Sequence, residues 1–197
     1  TVFNDAPFNY NDGTPVHNWY SNPPYEGLSS IRKGIYHSMN IVTVKCLTQI
    51  TPKLGFDYLE DFGFTTLNEL NDCYQPMALG GVGGVTNLEL CAAYATIANG
   101  GVYNEPQFYT RALDSDGNGI IDHTVPNTRQ VLKETTAFLL TEAMKDTVIK
   151  GTGTAVNFDG MTIAGKTGTT SDDKDVWFAG YTPYYTAVTW TGYDNNI

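Results

Sequence analysis

Apolar positions fall at helical spacing through much of the chain before Lys150 and at strand spacing after it. Leu28, Ile31, Ile35 and Tyr36 share one side of a predicted helix, and Ile41, Val44 and Leu47 repeat the pattern after Ser38-Met39-Asn40, so two helices should meet at that tripeptide. Pro52 and Gly55 interrupt the period, and residues 56–64 read as a short amphipathic helix closed by Gly63. A glycine-rich loop, "ALGGVGGVT", leads into an Ala-rich buried helix stopped by Asn99-Gly100-Gly101. Beyond Pro106, apolar and polar residues alternate on both sides of Asp114-Ser115-Asp116-Gly117-Asn118-Gly119, which predicts a β-hairpin. Residues 133–150 place Ala137, Leu140, Met144 and Val148 on one helical face, with Gly151 as the stop.

The remainder is β-branched and aromatic: residues 161–171, 175–183 and 184–194 predict three strands, the last two joined at Thr182-Pro183. Before Leu28 the chain is rich in Pro, Asn and aromatics with little period, as expected of an extended segment crossing a surface. The order therefore runs from an extended lead-in (1–27) through a mainly helical part (28–105) and a hairpin (106–127) to a helix with antiparallel strands (128–197). Helices first and an antiparallel meander last define an α+β protein.

Composition narrows the functional classes. The 197 residues are 41% hydrophobic, enough to bury a core, while 11 Lys+Arg against 21 Asp+Glu leave a net charge of −10. With no basic stripe to neutralise phosphates, neither nucleic acid nor an anionic membrane surface is the expected partner. The 13 Tyr and the frequent Gly, Asn and Thr suit a loop-rich extracytoplasmic domain. Cys46, Cys73 and Cys91 lack metal-site or framework spacing and read as buried free thiols. His17, His37 and His123 stand apart, so no metal or other cofactor is called for. No stretch of 18 apolar residues and no export signal is present, so any anchor is expected outside these residues; the non-Met start suggests a fragment.

Two short motifs could carry chemistry. In "IAGKTGTT", Gly168 lacks a Cβ and lets another backbone lie close to an exposed strand edge, the geometry by which an extended peptide is added. Lys166 supplies a cation, Thr167 and Thr169 supply hydroxyls, and together they could hold a carboxylate; a backbone N–H just after Gly168 could face a developing oxyanion. An ordinary exposed lysine in a strand is the alternative. Ser38 and Asn40, at a helix junction, could relay a proton and bond a substrate amide. The same residue types also serve as an N-cap for the second helix, and on the tripeptide alone the cap is favoured.

Together, S-x-N (Ser38, Asn40) followed by K-T-G (Lys166, Thr167, Gly168) resembles the second and third motifs of penicillin-binding proteins and class A β-lactamases. The blocks "GLSSIRKGIYHSMNIVTVKCL", "ALGGVGGVTNLELCAAYATIANGGVYNEP" and "GTGTAVNFDGMTIAGKTGTTSDDKDVWFAGYTP", with the lead-in "NWYSNPPYEG", are similar to the transpeptidase domain of bifunctional (class A) penicillin-binding proteins.

The resemblance implies the penicillin-binding protein/serine β-lactamase-like fold, an antiparallel sheet flanked by helices with a helical subdomain, incomplete here. It also implies a peptidoglycan D,D-transpeptidase in which a serine attacks the penultimate D-Ala carbonyl of a stem peptide. By motif, Ser38 would be the proton relay, Asn40 the substrate-amide contact and Lys166 the cation steadying them. Thr167 and Thr169 would contact the carboxylate, and the N–H of Thr169 would form half of the oxyanion hole. The implied partners are a stem peptide ending in D-Ala-D-Ala, β-lactam antibiotics, and a missing N-terminal part of the same protein. That part would carry Ser-x-x-K, a glycosyltransferase domain and an anchor at the outer face of the bacterial membrane.

The departure from the family is the nucleophile. Nothing between Thr1 and Tyr25 fits Ser-x-x-K. Ser30-Ile31-Arg32-Lys33 matches by letter but lies only two helical turns before Ser38, and Ser171-Asp172-Asp173-Lys174 follows the wrong motif. The fragment alone is therefore expected to be inactive. A non-catalytic β-lactam sensor or stem-peptide binding module on the same fold is the alternative in another class, while no deacylating Glu is recognisable for a hydrolytic β-lactamase. The Asp114 loop begins like an EF-hand, but Val125 stands where its bidentate Glu would be, which favours a hairpin turn.

Overall fold

The computed structural model describes residues 1–193 apart from the side chain of Asp172. The chain runs β1 (Val2–Asp5), β2 (Phe8–Asn9), β3 (Pro15–Val16), β4 (Gly27–Ser30), α1 (Ile31–Tyr36), α2 (Asn40–Ile50), α3 (Pro52–Asp61) and α4 (Glu69–Asp72). It continues through α5 (Asn87–Ala98), β5 (Val102–Asn104), β6 (Arg111–Leu113), β7 (Gly119–Asp122), β8 (Thr128–Gln130), α6 (Glu134–Lys150), β9 (Ala164–Thr169), β10 (Asp175–Tyr181) and β11 (Thr186–Gly192). The last residue of the third predicted strand, Asp194, lies outside the described residues.

Among the described residues the main sheet has the order β11-β10-β9 and is antiparallel throughout, with Lys166 opposite Ala179 and Gly168 opposite Trp177. β9, the strand of the lysine motif, thus lies at an edge. One core cluster joins Ile97 of α5, Ala137 and Met144 of α6, Ala164 of β9 and Tyr181 of β10, with Ile35 of α1 packed against it. A second joins Val16, Ile41 and Val44, and a third Leu47, Phe56 and Met77, so α2 is clasped between the lead-in and α3. Full burial of such a side chain contributes roughly 1.5–3 kcal/mol.

The helices end where the sequence predicts. Gly63, at φ +89°, follows α3, and α6 stops at Gly151. Arg32 Nε lies 2.5 Å from Asp146 Oδ2 and its guanidinium also donates to Glu142 O, tying α1 to α6. The guanidinium's hydrogen bond holds the Asp146 carboxyl below its ordinary pKa. Residues 114–118 form the turn of the β6–β7 hairpin, where the Asp114 carboxylate accepts from the backbone of Asp116 and Asn118 and from the Asn118 amide.

Four expectations need correction. Pro52 and Gly55 do not interrupt the helix before residue 56: α3 starts at Pro52, which suits the first turn of a helix, and runs through Gly55 to Asp61. Leu28 belongs to β4, not to the first helix, and is 80% exposed, because the chain there pairs antiparallel with β1. The lead-in is not featureless, since β1 to β3 arise within it and Asp5, 1% exposed, gathers three donors: Asn18 Nδ2, the Tyr20 hydroxyl and Glu26 N. Long-range pairing of this kind leaves no periodic signal. The three cysteines are free, as expected, but only half-buried.

Candidate active site

The two motifs meet in space. Lys166 Nζ lies 2.8 Å from Ser38 Oγ, a contact across 128 positions of sequence, and donates a second bond of 2.8 Å to Thr167 O. Burial disfavours its charged form and pulls its pKa from 10.5 down to about 8. A lysine so placed is no ordinary exposed strand residue.

Ser38 lies in the turn between α1 and α2 at φ +53°, a left-handed conformation that disfavours residues with a Cβ. The turn is fixed from both sides: Ser38 N donates to Ile35 O, Met39 N to Gly34 O, and Met39 itself is fully buried. Gly34 permits this closeness, because a Cβ there would stand 2.7 Å from Val42. The cap position of α2 is Met39, with no side-chain bond, so Ser38 is not the N-cap. That task falls to Asn18, whose Oδ1 accepts from Ile41 N at 3.3 Å while its amide is held by Asp5. Strain that caps nothing and places a hydroxyl beside a buried ammonium is a mark of function. Asn40 opens α2, and its Nδ2 donates to His17 O at 2.8 Å.

Thr167 and Thr169 follow Lys166 along β9. The Thr167 hydroxyl lies 2.6 Å from that of Thr152, while Thr169 is exposed at the strand's end. A Cβ at Gly168 would meet only Trp177, at 3.4 Å, so the strand's other surroundings are open.

Two cavities of about 870 and 810 Å³ flank this strand and share Leu79, Tyr94 and residues 166–169. The first runs beneath the glycine-rich loop to Leu59, Phe64 and Trp177; the second holds Ser38, Asn40 and Thr152 and reaches Ile97 and Met144. They form one mostly apolar trough with Lys166 at its middle. Ser38 is the one serine lining it among the described residues. Ser30 instead caps α1, accepting from Lys33 N, and Lys33 pairs with Glu26.

Other residues that shape the site gave less signal. Asp72, 4% exposed, accepts from Asn68 N and Gly83 N and so anchors the glycine-rich loop; no sequence pattern marks it. Glu89 was legible in Thr86-x-x-Glu89, a capping box at the start of α5, and also accepts from Thr65 and Thr66. Among the described residues no group of three or more His, Cys, Asp or Glu could hold a metal ion.

A strand-edge lysine in contact with the serine of the S-x-N turn, on an antiparallel sheet covered by helices, agrees with the two-motif resemblance to penicillin-binding domains. The chain belongs to the penicillin-binding protein transpeptidase domain family, whose model matches residues 1–196. It is 37% identical over 201 residues to penicillin-binding protein 1F of Bacillus subtilis, covering 98% of this chain and 27% of that protein. It is 34% identical over 204 residues to penicillin-binding protein 1A of Clostridium botulinum, covering 100% of this chain and 24% of that protein. The chain thus spans about a quarter of the length of these curated relatives. Penicillin-binding protein 1A of Haemophilus influenzae superposes with a TM-score of 0.81 at 23% identity, over 99% of this chain and 35% of its own. The D,D-transpeptidase domain of a peptidoglycan glycosyltransferase from Eggerthella lenta gives 0.77 at 23% identity, over 96% of this chain and 54% of its own. The fold is therefore that of the penicillin-binding transpeptidases.

Proposed function

We propose that this chain forms the substrate-holding wall of a peptidoglycan D,D-transpeptidase, acting at the outer face of the bacterial membrane. The observation that carries the reading is the contact between Lys166 Nζ and Ser38 Oγ, which unites two motifs far apart in sequence. The stem peptide lies along the β9 edge, with its terminal carboxylate at the Thr167 and Thr169 hydroxyls and its amide at Asn40. The attacking serine belongs to a Ser-x-x-K segment outside this chain, and the apolar trough beside Lys166 is where that segment packs.

In the reaction the serine oxygen bonds to the penultimate D-Ala carbonyl, and negative charge develops on the carbonyl oxygen, which the N–H of Thr169 meets. The C–N bond then breaks. Ser38 passes a proton to the departing amine of the terminal D-Ala and takes up in its place the proton that the attacking serine gives up, while Lys166 steadies the negative character of the relay. An amine from a neighbouring stem attacks the ester, forms the cross-link and frees the serine. A β-lactam follows the first half only: its ring C–N bond opens, and the acyl group stays on the serine. A solved structural relative from Mycobacterium tuberculosis, similar in fold at 22% identity, is a complex with penicillin V, which supports β-lactam binding on this fold.

The test uses fluorescent penicillin and a longer protein that joins this chain to a Ser-x-x-K segment. Lys166→Ala is expected to slow acylation by roughly a hundredfold or more, the scale of losing one preorganised electrostatic contact. Unchanged acylation would refute the assignment. This chain by itself should form no covalent band; a stable band lost in Ser30→Ala would place the nucleophile here and overturn the reading.

A further inference from the structure

Thr152 belongs to neither S-x-N nor K-T-G, yet it reaches the site from the end of α6. It sits between Gly151 and Gly153, just beyond α6, and its side chain lines the cavity that holds Ser38, Asn40 and Lys166. Its hydroxyl is 2.6 Å from that of Thr167. Its backbone N–H donates to Tyr36 O at 3.1 Å, two residues before Ser38. Gly151 N and Gly153 N both donate to Thr147 O, at 3.1 and 3.0 Å, so the backbone on each side of Thr152 is pinned to the end of α6. The approach to α1 depends on glycine: a Cβ at Gly151 would stand 2.2 Å from Tyr36 O. The loop therefore holds one threonine hydroxyl at a fixed place between the Ser38 turn and β9.

Two hydroxyls sharing one hydrogen bond have one proton in the bridge and one outside it. When Thr167 donates to Thr152, Thr167 presents lone pairs to the cavity and repels an anion. When Thr152 donates, the Thr167 proton is released toward the cavity, and the bond it accepts polarises its own O–H. An arriving carboxylate selects the second arrangement.

We propose that Thr152 is a positioning residue that sets Thr167 as a hydrogen-bond donor for the substrate's terminal carboxylate, and so helps confine the site to ligands ending in a free carboxyl group. The inference rests on the function proposed above, in which Thr167 receives that carboxylate.

The experiment titrates this chain with N-acetyl-D-Ala-D-Ala and, separately, with its C-terminal amide, following backbone ¹⁵N–¹H shifts of residues 166–169. The wild-type chain binds the carboxylate form more tightly than the amide. Thr152→Val, which keeps the shape and removes the hydroxyl, weakens binding of the carboxylate form about fivefold, the scale of one lost hydrogen bond, and leaves the amide form unchanged. Thr152→Ser restores the preference, and in a Thr167→Val background Thr152→Val has no further effect. Should Thr152→Val disturb the loop, Thr152→Ala reads the same loss.

Equal weakening of both ligands, or the same loss in the Thr167→Val background, would show a merely structural role and overturn the inference. Undiminished preference in Thr152→Val overturns it while leaving the proposed function standing. A wild-type chain with no preference for the carboxylate removes the proposed function, and the inference with it.

Discussion

Lys166→Met isolates the energetic cost of the buried ammonium. Lys166 has a pKa of about 8 in the folded chain against 10.5 when solvated, with burial as the cause. A lysine whose folded pKa is depressed destabilises the fold while both states are protonated, and that penalty is relieved as pH rises from the folded toward the unfolded value. Between those limits the unfolded chain binds a proton that the native chain does not, so stability must rise with pH. Linkage over the interval from pH 7 to pH 10 gives a relief of about 2.5 kcal/mol.

Methionine has nearly the same length and no titrating group, so its own packing enters as a constant offset. The quantity to measure is the difference in unfolding free energy between wild type and Lys166→Met, from urea denaturation at pH 7, 8, 9 and 10. Wild type should gain on the variant by about 2.5 kcal/mol across the series, most of it above pH 8. Other tyrosines and lysines titrate in both proteins and cancel. Parallel stability curves would refute the reasoning, because they would mean that the ammonium is as well solvated in the fold as outside it.

Ser38 and Glu89 offer further tests. Because Ser38 lies at φ +53°, Ser38→Gly should be more stable than Ser38→Ala by about 1 kcal/mol in chemical denaturation; equal stabilities would deny the strain. Burial raises the Glu89 pKa, but bonds from the backbone and hydroxyls of Thr65 and Thr86 outweigh it and bring it from 4.5 to about 2. Its stabilisation is complete above pH 4.5 and disappears as pH falls through about 2. Glu89→Gln should therefore melt below wild type at pH 7 and converge with it near pH 2. A gap that persists at pH 2 would show that the charge is not what Glu89 contributes.

Much of the fold was legible because its signals are local. Ala137, Met144 and Val148 recur on one face of α6 and are buried there, and Asp114 to Gly119 turn the hairpin with bonds inside the turn itself. The errors fall where partners lie far along the chain. Leu28 fits a helical period by spacing alone, yet the backbone around it pairs with residues 2–5, and pairing across that distance has no periodic trace. For the same reason Asn18, rather than Ser38, was free to cap α2: the cap crosses 23 positions, whereas cap patterns in sequence are read across three.

That exchange of roles explains how a short, common motif can be informative. Ser-x-N at a helix junction is ambiguous because a capping serine and a working serine occupy the same place in the sequence. The fold separates them by giving the cap to Asn18, which Asp5 fixes in place, and by turning Ser38 out of the helix into a left-handed conformation beside Lys166. Each half of the arrangement is unfavourable alone, since Ser38 is strained and Lys166 is desolvated. They persist because the surroundings leave neither residue a relaxed alternative: Met39 is buried on one side of the turn, Gly34 admits Val42 on the other, and Thr152 reaches Thr167 from the loop bonded to Tyr36. Relaxing one should thus stabilise the chain and cost function together, the trade-off expected where a site is held away from its own minimum.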